Sequence, residues 1–176
     1  MQLSTTRLLL RQWHDADIAP FARINQDPAV MRWIGDPLTY AQTEAWVARM
    51  RATWQERGLG LFAVELRHTA GCIGYIGLSV PRFEAHFTPC VEIGWRLAHA
   101  QWGQGLASEG AQAVLRWAEQ ELRLPEVVSF TTRANVASQR VMQKIGLTHN
   151  PVDDFDHPLL PPDHPLRPHV LYRARW

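Results

Sequence analysis

The stretch "QWGQGLASEG" (101–110) carries residue types suited to holding a charged group. Gly103 and Gly105 stand two apart, small residues follow, and the pattern then turns helical. The first N–H groups of a helix lack intrahelical partners. The helix dipole adds partial positive charge there, and glycines let phosphate oxygens approach closely. Ser108 adds a hydroxyl in the first turn. Such a turn can also be nothing more than a turn, and two familiar phosphate loops fit it poorly. A Walker loop needs G-x-x-x-x-G-K-[ST], and no lysine follows these glycines. A dinucleotide fingerprint needs G-x-G-x-x-G near the start of a doubly wound sheet. Here Ser108 takes the third place and the motif lies past residue 100, although Glu126 is spaced to meet a ribose.

A second candidate is the carboxylate in "CVEIGWRLA" (90–98). In a strand, Val91, Ile93, Trp95 and Leu97 share one face, and Glu92, Gly94 and Arg96 share the other. Gly94 leaves space beside Glu92. The pattern fits either a reactive carboxylate or a Glu92–Arg96 ion pair on an exposed face. Four histidines, His149, His157, His164 and His169, lie within 21 residues, with Asp153, Asp154, Asp156 and Asp163 nearby. None has the i, i+4 helical spacing of H-E-x-x-H, and prolines interrupt the segment, so a pocket-lining loop is expected and a metal is not.

These residues need elements to position them. Leu8–Leu10 reads as a short strand, followed by a helix over about 17–26, capped by Asp15 or Asp17. Thr39 and Gln42 form a capping-box pattern for a helix ending near Arg57, with Trp46, Val47, Met50 and Trp54 at helical spacing. "LFAVEL" (61–66) and "CIGYIGLSV" (72–80) read as a hairpin, a Pro-bounded loop spans 81–89, and 90–98 is a further strand. A helix over 105–122 buries Leu106, Gly110, Ala111, Val114, Leu115, Ala118 and Leu122. "EVVSFTT" (126–132) is a strand, 137–145 a short helix closed by Gly146, and 169–173 a last strand after a long proline-rich loop. The order predicts an α/β domain of α+β type, with helices flanking one mixed sheet.

Composition narrows the class. The chain has 176 residues, suiting one domain over 1–176 with a core of its own. A formal net charge of +1 gives no sign of a nucleic-acid or membrane-surface partner. The start, MQLSTTRLLLRQW, does not read as a signal peptide, and no apolar run approaches the ~18 residues of a membrane span. Two cysteines in apolar runs, Cys72 and Cys90, read as buried thiols of a reduced, cytoplasmic protein.

Three stretches in order carry a resemblance. "WGQGLASEG" is similar to the pyrophosphate loop [QR]-x-x-G-x-[GA] of the GCN5-related N-acetyltransferases, with Trp102 in the Gln/Arg place, Gly105 in the glycine place and Ala107 last. Trp102 departs from the general pattern but is common in the branch that resembles the ribosomal-protein alanine acetyltransferases. "TTRLLLRQWHDADIAPFARINQDPAVMRWI" resembles the N-terminal strand and helix of that branch. "RANVASQRVMQKIGL" is similar to the second cofactor motif, N-x-x-S-x-[RK]-[VL]-x-x-K-x-G-[FL]. The resemblance covers nearly the whole chain.

It implies a mostly antiparallel sheet splayed at the cofactor site, and acetyl-CoA as donor to a primary amine of a small molecule or a protein N-terminus. A CoA-binding protein without catalysis is the alternative. The pyrophosphate would meet Trp102, Gly103, Gln104, Gly105, Leu106, Ala107 and Ser108. Asn135 would bond the pantetheine arm or hold the splayed strand end, Arg140 or Lys144 would approach the 3′-phosphate, and a backbone N–H near Leu97 would meet the oxyanion. The resemblance makes Glu92 the base. Many relatives carry a Tyr thiolate acid where this chain has Met142, so Ser138 would take that role or only bind cofactor. Acceptor contacts are expected from Trp33, Phe83, Phe87, Asp154, Phe155 and His157, with Asp153, Asp154 and Asp156 attracting a cationic amine and His157 or Asp154 as substitute bases. A monomer or homodimer without nucleic-acid or membrane partners is expected.

Overall fold

The computed structural model describes residues 1–176. Strands β1 (Gln2–Ser4) and β2 (Leu8–Arg11) form an N-terminal hairpin. Helices α1 (Ile18–Gln26), α2 (Pro28–Met31) and α3 (Tyr40–Arg57) follow. Next come β3 (Leu61–Leu66), β4 (Thr69–Ser79) and β5 (Glu92–Leu97). Then α4 (Leu106–Gln120), β6 (Glu126–Thr132) and α5 (Val136–Lys144) precede the short strands β7 (Thr148–His149) and β8 (Phe155–Asp156), and β9 (Pro168–Arg175) ends the chain. One sheet runs β1-β2-β3-β4-β5-β6-β9-β7, with β8 also pairing β9. Every pairing is antiparallel except β5–β6, whose parallel crossover is α4.

The side-chain alternation of the strands sets two layers. Leu8, Leu10, Phe62, Val64, Ile76, Leu78, Ile93 and Leu97 pack on one face against Leu106, Ala111, Val114, Leu115 and Ala118 of α4. Ala63 and Cys72 face the other way, with Trp13, Ile18, Phe21 and Val47 under α1 and α3. Trp46 and Tyr75 stack at 5.3 Å on that side. The capping box of α3 is present: Gln42 N–H donates to Thr39 Oγ1 and Thr39 N–H to Gln42 Oε1.

The structure departs from the sequence reading at the ends. β1, α2, β7 and β8 are two to four residues long, too short to show a period. Asp17 stands at the N-cap of α1, but its side chain takes no N–H of that helix. It is buried, accepts from Arg11 Nη1 and Nη2 at 2.6 and 2.8 Å, and takes the His14 N–H at 2.8 Å. Burial pushes its carboxyl up, and the Arg11 and His14 hydrogen bonds more than reverse this, leaving it below its ordinary value. The segment 150–167 is less of a free loop than its prolines suggest, since a 3₁₀ turn (Pro151–Asp153) and β8 tie it to the sheet.

Candidate active site

β5 and β6 are held together by one parallel register, Glu92 opposite Val128, and then diverge. Val128 N–H donates to Val91 O at 2.9 Å. One step further, the Ser129 hydroxyl replaces the backbone and donates to Ile93 O at 2.9 Å. At the far end of β5, the Trp102 indole N–H donates to Leu97 O at 2.9 Å. Ala98 N–H points to β4, donating to Ile73 O. Strand alternation therefore turns the N–H groups of Trp95 and Leu97 into the gap, where no strand pairs with them. The wedge thus offers unused backbone donors in the middle of a sheet.

A cavity of about 540 Å³ occupies this wedge. The start of α4 forms one wall. Gly103 and Gly105 have φ of 75° and 76°, a left-handed backbone that favours glycine. A side-chain carbon at Gly103 would meet nothing within 4 Å, and one at Gly105 only Arg7 Nη2 at 3.7 Å. The backbone conformation, together with open space, accounts for the two glycines. The N–H groups of Leu106, Ala107 and Ser108 lie in the unpaired first turn of α4.

Arg7, absent from the sequence reading as a site residue, anchors this turn. Its Nη1 donates to Gln104 O at 2.9 Å and its Nε to Glu109 Oε2 at 2.6 Å. Glu109 also accepts from Thr5 Oγ1 and from the Arg7 N–H. Partial burial pushes the Glu109 carboxyl up, but these donors hold it below its ordinary value. A guanidinium thus sits beside the helix start. No period or spacing in the sequence links residues 7 and 104.

Of the expected donor-side residues, Leu97, Trp102, Gly103, Gly105, Leu106, Ala107, Ser108, Asn135, Ser138 and Arg140 line the cavity. Gln104 does not: its carbonyl is taken by Arg7 and its Nε2 donates to Ala100 O. Asn135 caps α5, accepting from Ser138 N–H at 3.2 Å, and its Nδ2 donates to Thr131 Oγ1 at 3.1 Å. It fastens the diverging end of β6. Met142, in the place of the missing Tyr, is buried in the core and faces away from chemistry.

Glu92 lies in the cavity at the apex of the wedge. Its Oε2 accepts from Ser79 Oγ at 3.2 Å. Burial pushes its carboxyl up to about 7, with the Ser79 hydrogen bond opposing. A carboxylate near neutrality is suited to accepting protons at physiological pH. A carbon built on Gly94 would stand 3.9 Å from Glu92 Oε1 and meet nothing else, so there is room beside the carboxylate. The alternative ion pair is overturned. Arg96 Nη1 donates to Asn25 Oδ1 at 2.6 Å, and the guanidinium lies over the Tyr75 ring at 5.3 Å. Burial pushes the Cys90 thiol up to about 11 and Cys72 to about 12, so neither is a ready nucleophile.

The expected acceptor residues divide. Trp33 lines the cavity, with Ile34 and Val30. Phe83, Phe87, Phe155 and His157 do not. They form an aromatic cluster behind Phe130 and His169, which do line it. His169 Nδ1–H donates to Arg167 O at 3.0 Å, and burial lowers the pKa of both His157 and His169. Asp154 pairs with His149 at 2.7 Å and Arg133 at 3.4 Å, Asp153 with Arg173 at 2.9 Å, and Asp156 with Arg167 at 3.3 Å. These carboxylates answer the chain's own cations and do not face the cavity, because the sequence places arginines and a histidine opposite them in the folded sheet. Glu126 likewise accepts from Arg173 and Arg175 and does not line the cavity.

The family model for the acetyltransferase (GNAT) domain matches residues 7–148. The chain belongs to this acetyltransferase family. It is similar to the uncharacterized N-acetyltransferase YnaD of Bacillus subtilis, 31% identical over 148 residues, covering 84% of this chain and 82% of the relative. Among solved structures, an acetyltransferase from Agrobacterium tumefaciens is 30% identical with a TM-score of 0.78, covering 100% and 95% of the two chains. RimL, a ribosomal L7/L12 alpha-N-protein acetyltransferase solved with coenzyme A, shares the fold at 14% identity, with a TM-score of 0.81 over 99% and 98%. This GNAT protein is therefore an acetyl-CoA-dependent N-acetyltransferase that moves an acetyl group to an amine. None of its helices is long and apolar enough to cross a membrane.

Proposed function

We propose that this N-acetyltransferase, as one domain over 1–176, works at the β5–β6 wedge with Glu92 as its general base. The observation that carries the reading is a partly buried carboxylate, shifted to about 7, at the apex of a cavity whose walls hold unpaired backbone donors. The donor fits the chain's own groups. The first-turn N–H groups of α4, with Arg7 beside them, suit the pyrophosphate. The Trp95 and Leu97 N–H groups suit the pantetheine amides and the thioester oxygen, the latter a polarising contact for charge that develops there. Arg140, exposed on α5 at the cavity wall, suits the 3′-phosphate.

Bound acetyl-CoA supplies the activated acyl carbon. The chain's residues do the rest. Glu92, directly or through one water, takes the proton that the acceptor ammonium must lose before its nitrogen can attack. Gly94 leaves the space that nitrogen occupies. The Ser138 hydroxyl, at the cavity wall with only its N–H committed to Asn135, suits handing a proton to the leaving thiolate. Trp33 and Phe130 supply apolar sides for the acceptor. No metal enters this scheme, and the cytoplasm suits it.

Glu92→Gln keeps shape and hydrogen bonding while removing the base. The expected result is a fall in kcat of about 10²–10⁴ with the CoA-induced rise in Tm intact. The wild-type kcat/KM should rise with pH through about 7, and this limb should vanish in the variant. A variant that keeps both the rate and the limb would remove Glu92 from the mechanism.

A further inference from the structure

Arg96 is not explained by acetyl transfer alone. It lies on the same face of β5 as Glu92 and Gly94, lines the cavity, and is only 8% exposed. Its Nη1 has Asn25 as partner, but its Nε is buried with no acceptor at all. None of the ion pairs in the structure includes it, so a cation is held in the protein without a counter-charge. Charges left this way are costly unless something pairs with them. A guanidinium donates charge-assisted hydrogen bonds that carboxylates accept. The surroundings hold it in place: Tyr75 lies under it, and Asn25 is itself fixed by donating from Nδ2 to Thr43 Oγ1 at 3.1 Å.

The donor's phosphates are accounted for elsewhere, at the start of α4 and beside Arg7. Arg96 belongs instead to the side of the sheet covered by α1, where Trp33 and Ile34 close the cavity. We infer that Arg96 is an acceptor-recognition residue, and that the acceptor is an amine bearing a carboxylate. This rests on the proposed placement of the acceptor amine at Glu92. Residues 92 and 96 stand about 13 Å apart along an extended strand. The carboxylate therefore stands several bonds from the reacting amine, as in an ω-amino acid or the C-terminus of a short peptide.

The test uses matched acceptors: glycine, β-alanine, γ-aminobutyrate, ε-aminocaproate and diglycine, each beside its carboxamide. The expected result is a preference of about ten- to hundredfold in kcat/KM for the free acids with longer spacers, mostly in KM. Arg96→Gln should abolish the preference and Arg96→Lys should restore part of it, both with the CoA-induced Tm shift unchanged. Equal use of acid and amide by the wild type would overturn the inference, as would a preference that survives Arg96→Gln. Loss of the CoA shift in Arg96→Gln would assign the guanidinium to the donor and also overturn it. Because Arg96 is buried, a measurement independent of variants is needed. Calorimetry of the N-acetylated products with the wild-type CoA complex should show the free acids binding and the amides not. Absence of binding by every acid at millimolar concentration would overturn the inference even if no turnover were seen. The same titration on Glu92→Gln separates the two ideas, since acid-over-amide binding survives there whatever Glu92 does in catalysis.

Discussion

At the scale of single residues, the site rests on a tension at Glu92. The carboxyl is protonated in the folded chain up to about pH 7 and ionised in the unfolded chain from about 4.5. Between these values the folded state holds more protons, so this group makes stability fall as pH rises through that window, and the cost is complete above 7. A shift of that size corresponds to on the order of 3 kcal/mol. Glu92→Gln, which cannot ionise, should therefore raise Tm at pH 8 and change it little at pH 4.5, by thermal melts at both values. A carboxylate that costs stability fits the proposed reactive group, whereas a structural ion pair would give the opposite sign. The sequence made Glu92 legible through its period-two neighbours and the resemblance. The alternative of an Arg96 partner stayed open in the sequence because strand spacing says which face a side chain shares, not which helix residue covers that face. Asn25 supplies the contact from 71 positions away.

At the scale of elements, α4 and its approach are the proposed seat of the donor, and long elements were the legible ones. The strand over 126–132 and the helix capped at Thr39 lie where the pattern put them. The short strands and the Arg7–Glu109 clamp were not legible, since they depend on chain segments meeting across the sheet. The clamp gives a prediction about the element. Arg7→Ala removes hydrogen bonds to Gln104 O and Glu109 and takes a positive charge from beside the helix start. CoA affinity should weaken by about tenfold, as charge-assisted bonds are worth ~1.5–3 kcal/mol and Arg7 is partly exposed. Gly105→Val should do worse, because a branched side chain at φ 76° costs on the order of 1–3 kcal/mol and deforms the turn. Calorimetric titration of CoA on both variants, with circular dichroism confirming the fold, checks this. Unchanged affinity in both would move the pyrophosphate away from 103–108.

At the scale of the whole molecule, the acidic segment 153–156 is part of the scaffold. Asp153 and Asp154 brace Arg173 and Arg133 and hold the C-terminal strands together. Replacing Asp153, Asp154 and Asp156 by Asn together should lower Tm by several degrees and leave the acceptor KM within about twofold, because the lost contacts are internal. A raised KM with unchanged Tm would restore the idea of an acidic lure. The wedge has a consequence of a different kind. A sheet that opens in its middle has two inner margins, and the β5 margin carries the unpaired N–H groups of Trp95 and Leu97. Exposed margins recruit foreign strands. The pantetheine arm, with amides of its own, would occupy that margin as an extra strand does. Coenzyme would then guard solubility as well as reactivity. Deuterium uptake at Trp95 and Leu97 should be fast in the free protein and slow with CoA. Light scattering on gentle warming should rise earlier without CoA, at temperatures where both forms are still folded.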